Sequence, residues 1–249
     1  MTADVDAGLD GALAALAARR PLLVASDYDG VFAPLVDDPS AAVPAPGIAE
    51  ALARVAAAGG DVTVALVSGR GVEDLQRVSG LTGPYRWVGS HGAEFGGPLT
   101  GELAGRRDAL AEVLAPLVAA VPGARLEVKP VSVAVHVRQV ADPAAAAELL
   151  AAADAAADPS LTKKPGKAVL ELVLVDADKG SAVQRLREEL GAAAVVYLGD
   201  DLTDEDVFRL LGPDDVGIKV GEGPTAAAHR VADPDAVVGV LGRLGDLLA

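Results

Sequence analysis

Residues 22–30 read LLVASDYDG, an apolar run that ends in Asp-Tyr-Asp-Gly. A continuous apolar run of this length is typical of a strand that is buried on both faces, as the strands of parallel sheets are. Residues 62–67 and 193–198 have the same character, and a helical pattern over 47–58 lies between the first two runs. This order of strand, helix and strand predicts an α/β fold with a doubly wound, mainly parallel sheet.

Polar residues directly follow each of the three apolar runs. They are Asp27 and Asp29 after the first run, Ser68 and Arg70 after the second, and Asp200 and Asp201 after the third. The carboxyl ends of parallel strands lie at one edge of a sheet, and open α/β sheets bind their ligands there. We therefore expect the three clusters to meet in space although they are far apart in the sequence.

The composition narrows the class of function. The chain has 249 residues, of which 51% are hydrophobic, and a formal net charge of −15. A chain this acidic is expected to bind neither nucleic acid nor an anionic membrane across a broad face. It contains no cysteine, which excludes disulfides, thiolate metal sites and cysteine nucleophiles. The first nine residues carry no Lys or Arg, unlike a signal peptide, so the expected location is the cytoplasm.

A segment of different character interrupts the α/β pattern. Its helical patterns cover 106–120 and 143–156, and its strand-like runs cover 124–129, 131–138, 160–164 and 167–173, with a turn expected at Pro165 and Gly166. The order of helix, two strands, helix and two strands predicts a small α+β domain inserted into the larger one. The predicted limits are 1–101 and 176–249 for the core domain and 102–175 for the insertion.

Two acidic segments could hold a divalent cation. Asp27 and Asp29 could divide the work of phosphoryl transfer, one attacking phosphorus and the other moving a proton, or they could form a turn that caps a strand. The stretch 199–206 contains five acidic residues after another buried strand, and carboxylate oxygens favour Mg²⁺ over Zn²⁺. Within it, Glu205 and Asp206 are expected to form a solvated helix N-terminus.

Two further positions suit a phosphate group. Ser68 offers a hydroxyl and backbone N–H groups at the start of a helix, although an ordinary N-cap serine has the same sequence context. Lys179 precedes a helical pattern over 181–190, where its ammonium could neutralise a phosphorylated aspartate, or it could be an ordinary surface lysine. The order of these signals along the chain carries more information than any one of them.

Taken in order, Asp-x-Asp-Gly, a serine after the second strand, a lysine before a helix and Gly-Asp-Asp after a later strand resemble the haloacid dehalogenase superfamily of phosphotransferases. The resemblance covers nearly the whole chain. It implies a Rossmann-like core, with Asp27 as the nucleophile and Asp29 as the general acid and base. Val31 departs from the pattern, since threonine is commoner at that position.

The same resemblance implies a phosphate seat and a metal site. Ser68 and Lys179 would hold the phosphoryl group, and Mg²⁺ would be the cofactor. The implied metal ligands are the carboxylates of Asp27 and Asp200 and the backbone carbonyl of Asp29, with Asp201 and Asp204 as supporting residues.

The spacing of these signatures locates the insertion. Ser68 and Lys179 are 111 residues apart, far more than a core of this kind needs, so the inserted domain resembles the second cap class of the superfamily. The strings GSHGAE (89–94), KPVSVAVHVR (129–138) and GDDLTDED (199–206) look like those of the trehalose-6-phosphate phosphatases within it.

That similarity implies hydrolysis of trehalose 6-phosphate. The implied substrate contacts are Lys129 and Glu171 of the cap and His91, Glu94 and Arg70 of the core. Two alternatives stay open. One is a phosphatase for another sugar phosphate, such as sucrose phosphate, mannosyl-phosphoglycerate or a pseudo-disaccharide phosphate, and the other is an inactive binding or regulatory domain. The expected partner is a small sugar phosphate, and the protein is expected to be a monomer.

Overall fold

The structure, a computed structural model, describes residues 7–96 and 101–249, except for the side chain of Pro165. Its strands are β1 Leu22–Ser26, β2 Val62–Val67, β3 Arg86–Gly89, β4 Glu94–Phe95, β5 Arg125–Val128, β6 Ser132–His136, β7 Thr162–Gly166, β8 Val169–Val173, β9 Ala194–Gly199, β10 Val216–Val220 and β11 His229–Val231. Its helices are α1 Ala7–Ala17, α2 Ile48–Ala57, α3 Val72–Ser79, α4 Gly101–Ala119, α5 Pro143–Ala156, α6 Lys179–Leu190, α7 Glu205–Phe208 and α8 Pro234–Leu248. Within these described ranges, no helix combines the length and the apolar character that crossing a membrane requires.

The chain divides into two compact units. One is formed by Met1–Pro98 together with Ala177–Ala249, and the other by Leu99–Asp176. The first unit contains a seven-stranded sheet in the order β11-β10-β9-β1-β2-β3-β4, in which every pair is parallel except β3 with β4. This confirms the predicted α/β fold with a mainly parallel sheet. Because the chain builds outward from β1 in one direction and then from β9 in the other, the sheet has a topological switch point between β1 and β9.

The central strand is apolar because both of its faces are covered. Leu22 and Val24 belong to a core cluster that also contains buried side chains of α1, α2 and α8. Leu23 and Ala25 belong to a second cluster with α6 and α7. Successive side chains of a strand point to opposite faces, so the run of five buried residues in β1 divides between two layers of helices.

The second unit is an antiparallel sheet with two helices. Its strands lie in the order β5-β6-β8-β7. Val133, Val135 and Leu172 form its core together with buried leucines of α4 and α5. Glu171 of β8 lies opposite Ala134 of β6, and Lys164 of β7 lies opposite Glu171. The predicted α+β insertion is confirmed, and its helices and strands come in the predicted order.

The turn predicted at Pro165 and Gly166 is wrong by two residues. Both belong to β7, and the chain reverses at Lys167 and Ala168, where Ala168 has a φ of 65°. A proline cannot donate to a strand ladder, but β7 is an edge strand, where that donor is not required. The edge position therefore lets the strand continue through a residue that usually ends one.

Candidate functional site

The three polar clusters lie at one edge of the seven-stranded sheet. Ser26 of β1 pairs with Leu66 of β2 and with Leu198 of β9, so the residues that follow these strands lie at nearly the same level. This confirms the expectation that the clusters meet. They do so at the switch point between β1 and β9, where open α/β sheets bind their ligands.

Four carboxylates converge at this edge. Oxygens of Asp27, Asp200, Asp201 and Asp204 all lie within 4.8 Å of one another. Gly30 permits this approach, since its φ is 76° and a Cβ at that position would lie 2.0 Å from a carboxylate oxygen of Asp200. The glycine that follows the two aspartates is therefore required by the close packing of two segments that are distant in the sequence.

The converging carboxylates repel one another. Burial, opposed by Lys179 and reinforced by the charge of Asp204, raises the pKa of Asp27 to about 8. Burial and the charges of Asp204 and Asp201 raise the pKa of Asp200 to about 6. A set of hard oxygen donors with this excess of negative charge fits a divalent cation such as Mg²⁺, whose charge would relieve the repulsion.

Lys179 is one of the cations that the protein itself supplies to this cluster. Its Nζ donates to Asp27 Oδ2 at 2.6 Å and to Asp204 Oδ1 at 2.9 Å, and its side chain is only 2% exposed. Burial alone would lower the pKa of Lys179, but the two carboxylates raise it above its usual range, so the ammonium stays charged. Lys179 is also the first residue of α6, and the cap formed by Asp178 and Ser181 fixes that helix start.

Asp204, expected only to support the site, is heavily hydrogen-bonded. Its fully buried carboxylate accepts hydrogen bonds from four donors. Oδ1 accepts from Lys179 Nζ and from the Tyr197 hydroxyl at 2.7 Å, and Oδ2 accepts from the backbone N–H groups of Asp200 and Asp201 at 2.8 and 3.0 Å. This one side chain therefore holds both the lysine and the turn that follows β9.

Asp29 lies beside the cluster and has a different partner. Its two oxygens accept from Nε and Nη2 of Arg70, at 2.7 Å each. Arg70 also donates to Asp74 at 2.9 Å and to the carbonyl of Pro39 at 2.8 Å. The guanidinium, predicted as a substrate contact, is thus directed at acceptors of the protein.

Ser68 is buried directly beyond β2. Its Oγ accepts from the backbone N–H of Arg70 at 3.2 Å, and its carbonyl accepts from the backbone N–H of His91 at 3.0 Å. Ser90 and His91 have φ values of 51° and 56°, so a turn in the left-handed region folds residues 90–92 back onto residues 68–70. The exposed His91 imidazole packs against Gly69, where a Cβ would lie 2.6 Å from the ring.

Glu94 is buried and bonds to the backbone of α3. Its Oε2 accepts from the N–H of Val72, the first residue of that helix, at 2.6 Å. A helix N-terminus leaves such N–H groups without a partner within the helix, so Glu94 supplies one. This predicted sugar contact is therefore a carboxylate that already serves the structure.

In the second unit, the two predicted sugar contacts lie together. Lys129 Nζ donates to Glu171 Oε1 at 3.0 Å, and Ser132 Oγ donates to the same oxygen at 2.5 Å. Burial alone would raise the pKa of Glu171, but these hydrogen bonds lower it below its usual range, so the carboxylate stays ionised. The arrangement offers a cation, an anion and a hydroxyl within one cluster.

Two contributors to the site were not predicted. The sequence pattern indicates only a strand at Tyr197 and no site role for Lys219. The Tyr197 hydroxyl nevertheless donates to Asp204, and the buried Lys219 ammonium donates to the backbone carbonyl of Asp200. A charged residue inside the otherwise uncharged VGIKV strand could have indicated it. The expectation that Glu205 is solvated is wrong, because its carboxylate turns inward and accepts from the N–H of Ala226 at 2.8 Å.

Replacing Asp204 by alanine should destabilise the first unit strongly. The change removes one of the two buried acceptors of Lys179 and leaves the Tyr197 hydroxyl without its acceptor, and removal of one partner from a buried ion pair costs about 3–5 kcal/mol. The matched control is Asp206→Ala, which removes a half-exposed pair with Arg209 and should cost about 1 kcal/mol or less. Urea unfolding followed by circular dichroism measures both, and equal losses in the two variants would contradict the role given to Asp204.

Comparison with known proteins agrees with this geometry. The trehalose-phosphate phosphatase of Mycobacterium marinum is 35% identical over 243 residues, which cover 90% of this chain but only 61% of that relative. A structure of Aspergillus fumigatus trehalose-6-phosphate phosphatase is similar with a TM-score of 0.74 and 25% identity, over 99% of both chains. A haloacid dehalogenase-like hydrolase from Bacteroides thetaiotaomicron shares the fold, with a TM-score of 0.59 and 15% identity over 89% of this chain and 98% of that one.

The family model described as trehalose-phosphatase matches residues 25–235. This range contains both aspartates of the first motif, the serine, the lysine and the acidic stretch after β9. The resemblance found in the sequence is thereby confirmed: the chain belongs to the trehalose-phosphatase family and has the fold of the haloacid dehalogenase superfamily.

Proposed function

We propose that this chain hydrolyses trehalose 6-phosphate to trehalose and inorganic phosphate, with Mg²⁺ as cofactor and an aspartyl phosphate as intermediate. The observation that carries the proposal is the convergence of Asp27, Lys179 and three further carboxylates at the switch point of the sheet. Membership of the trehalose-phosphatase family supports the substrate. The M. marinum relative, of which the chain spans 61%, is named a trehalose-phosphate phosphatase.

Asp27 is the proposed nucleophile and Asp29 the proposed general acid and base. One carboxylate oxygen of Asp27 attacks phosphorus while the bond from phosphorus to the sugar oxygen breaks, which leaves the phosphoryl group on Asp27. Asp29 gives a proton to the departing sugar oxygen. Asp29 then takes a proton from water, whose oxygen attacks phosphorus and releases Asp27 and inorganic phosphate.

The groups around Asp27 are suited to this transfer. The backbone N–H of Tyr28 donates to Asp27 Oδ1 at 2.6 Å and so fixes the orientation of the carboxylate. Lys179 and Ser68 are proposed to hold the oxygens of the phosphoryl group. Positioning and electrostatic stabilisation supply most of the catalysis in phosphoryl transfer, and both residues are held rigidly for it by buried contacts.

The carboxylates of Asp27 and Asp200 and the backbone carbonyl of Asp29 are proposed to hold Mg²⁺. The bound ion would neutralise charge on the phosphate ester and so reduce its repulsion from Asp27. Asp201 and Asp204 are proposed as supporting residues. Asp204 fixes the backbone after β9, and Asp201 accepts from the N–H and hydroxyl of Thr203 at 2.8 and 2.7 Å.

We propose further that residues 102–175 are a cap domain that selects the sugar, and that 1–101 with 176–249 are the catalytic core. Lys129 and Glu171 provide the donors and acceptors that a neutral, hydroxyl-rich sugar needs. His91, exposed next to the phosphate seat, is the proposed sugar contact of the core. The buried Glu94 is proposed to act with it by fixing the start of α3.

The proposed setting is a monomer in the cytoplasm that acts on a small sugar phosphate. The formal charge of −15 disfavours nucleic acid and anionic membranes as partners. The second candidate is a phosphatase for another sugar phosphate, because the groups at the sheet edge act on the phosphate and leave the choice of sugar to other residues.

Asp27→Asn should abolish phosphate release while the fold survives. The amide is too weak a nucleophile for the first step, and it keeps nearly the same shape as the carboxylate. Release of inorganic phosphate and far-ultraviolet circular dichroism are measured with Mg²⁺ present, and the exposed Asp37→Asn serves as the control. Phosphate release by Asp27→Asn at the wild-type rate would overturn the mechanism.

Mg²⁺ binding should depend on Asp200 and on pH. Asp200→Asn is expected to weaken Mg²⁺ binding by about tenfold or more, whereas Asp206→Asn should leave it unchanged. Because the pKa of Asp27 is raised to about 8 and that of Asp200 to about 6, protons occupy these two carboxylates increasingly as the pH falls from about 9 to about 5, and the affinity for Mg²⁺ should fall with it. Isothermal titration calorimetry measures these affinities. An unchanged affinity in Asp200→Asn would remove this residue from the site.

Glu171→Gln should impair sugar recognition more than phosphate chemistry. The loss of a charged acceptor is expected to lower kcat/KM for trehalose 6-phosphate by about 10- to 100-fold, and to affect p-nitrophenyl phosphate much less. The control is Glu148→Gln on the exposed side of α5. The same assay with sucrose phosphate and mannosyl-phosphoglycerate tests the second candidate, since a preference for either over trehalose 6-phosphate would replace the proposed substrate.

A further inference from the structure

The pair formed by Asp29 and Arg70 has the geometry of a clamp. Nε and Nη2 of the guanidinium donate to the two separate oxygens of the carboxylate, and both distances are 2.7 Å. Such a paired arrangement of charge-assisted hydrogen bonds fixes the direction of a carboxylate as well as its position. Asp29 is thereby held in one orientation, while Asp27, two residues before it, faces the acidic cluster.

Arg70 is itself held from several sides. Nη1 donates to Asp74 in the first turn of α3, and Nη2 donates to the carbonyl of Pro39. Its guanidinium lies 5.9 Å from the centre of the Tyr28 ring, and its backbone carbonyl accepts from the N–H of Ser90 at 2.7 Å. With a side chain only 11% exposed, Arg70 is a rigid part of the structure.

The number of hydrogen bonds that the Arg70 guanidinium makes favours a role in positioning Asp29 over a direct contact with the substrate. A guanidinium has about five N–H donors, and these contacts with Asp29, Asp74 and Pro39 use four of them. A carboxylate has about four acceptor positions, so the two donors from Arg70 leave others on Asp29 that can carry a proton. The clamp therefore restrains Asp29 without blocking it.

We propose that Arg70 is a positioning residue for Asp29, which it holds at the place where a proton passes to the leaving oxygen. The inference rests on the proposed role of Asp29 as general acid and base. It also replaces the expectation, drawn from the sequence, that Arg70 contacts the substrate. Displacement of a reacting group by about 1 Å can cost about a hundredfold in rate, so loss of the clamp should be visible in catalysis.

The dependence of kcat/KM on the leaving group tests this role directly. A p-nitrophenolate leaves as a weak base and needs little help from an acid, whereas an alkoxide leaves as a strong base and needs a proton. Phosphate esters of p-nitrophenol and p-nitrobenzyl alcohol differ by one methylene group and carry no sugar. The ratio of the kcat/KM values for the two esters therefore measures how much proton donation assists the leaving group. Because neither ester carries a sugar, contacts to a sugar do not affect this ratio.

The variants are Arg70→Gln, Arg70→Lys and Asp29→Asn, assayed with both esters and Mg²⁺. Asp29→Asn should lose about a hundredfold to ten-thousandfold on p-nitrobenzyl phosphate and far less on p-nitrophenyl phosphate. Arg70→Gln should shift the ratio in the same direction by about tenfold or more. Arg70→Lys keeps the charge but cannot make both hydrogen bonds, so it should shift the ratio in the same direction too.

The matched control is Arg77→Gln on α3, whose side chain pairs with Asp74, as that of Arg70 does, and makes no contact with Asp29 among the described residues. It should leave the ratio at the wild-type value. Circular dichroism confirms that each variant is folded. An equal loss on both esters in Arg70→Gln and Arg70→Lys would overturn the positioning role and restore a direct contact with the phosphate ester.

A double variant separates this inference from the proposed function. If Arg70 acts through Asp29, adding Arg70→Gln to Asp29→Asn should cost much less than it does in the wild type. A full, additive loss would overturn the positioning role while the role of Asp29 stands. An Asp29→Asn variant with an unchanged ratio would instead refute the proposed acid and base, and this inference with it.

Discussion

The buried ammonium of Lys179, set between Asp27 and Asp204, is the interaction on which the rest of the site depends. A carboxylate removed from water is costly unless it is paired, and the ends of β1 and β9 place several of them side by side. Lys179 cannot neutralise them all, and burial together with the charges of neighbouring carboxylates raises the pKa values of Asp27 and Asp200. The excess of carboxylates at this sheet edge therefore favours the binding of a further cation.

The two aspartates of the first motif have separate environments although only Tyr28 lies between them. Asp27 is buried among other carboxylates, whereas Asp29 is clamped by an arginine. When neighbouring carboxyl groups have different surroundings, they can take different chemical roles. The proposed division between nucleophile and acid rests on this difference, which comes from the placement of Arg70 at the end of the neighbouring strand β2.

Periodicity and composition were enough to predict the main elements of the fold. The apolar run of β1 must be covered on both faces, and the helical and strand-like runs of the second unit follow ordinary patterns, so local sequence determines them. The turn before β8 was misplaced because only the edge position of β7 makes Pro165 acceptable there. That position is a property of the whole sheet, which no local pattern contains.

The site residues also divide into those that local sequence identifies and those whose role only the tertiary structure reveals. Asp27, Ser68 and Asp200 could be found because each directly follows a strand, and Asp29 because it lies two residues after Asp27. The partners of Glu94, Glu205 and Lys219 are backbone groups that are distant in the sequence, so their inward orientation could not be read from neighbouring residues. Motif position thus indicates where a carboxylate lies, and tertiary packing decides what it touches.

The order of the strands also has a consequence for synthesis of the protein on the ribosome. Asp27 and its partner Lys179 are 152 residues apart, and β9, which covers the second edge of β1, follows the whole second unit. During translation, β1 and β2 are complete while β1 still has one open edge, and contacts of such long range form slowly. The nascent chain therefore carries Asp27 and Asp29 beside a central strand with one unpaired edge until β9, which ends at Gly199, has emerged.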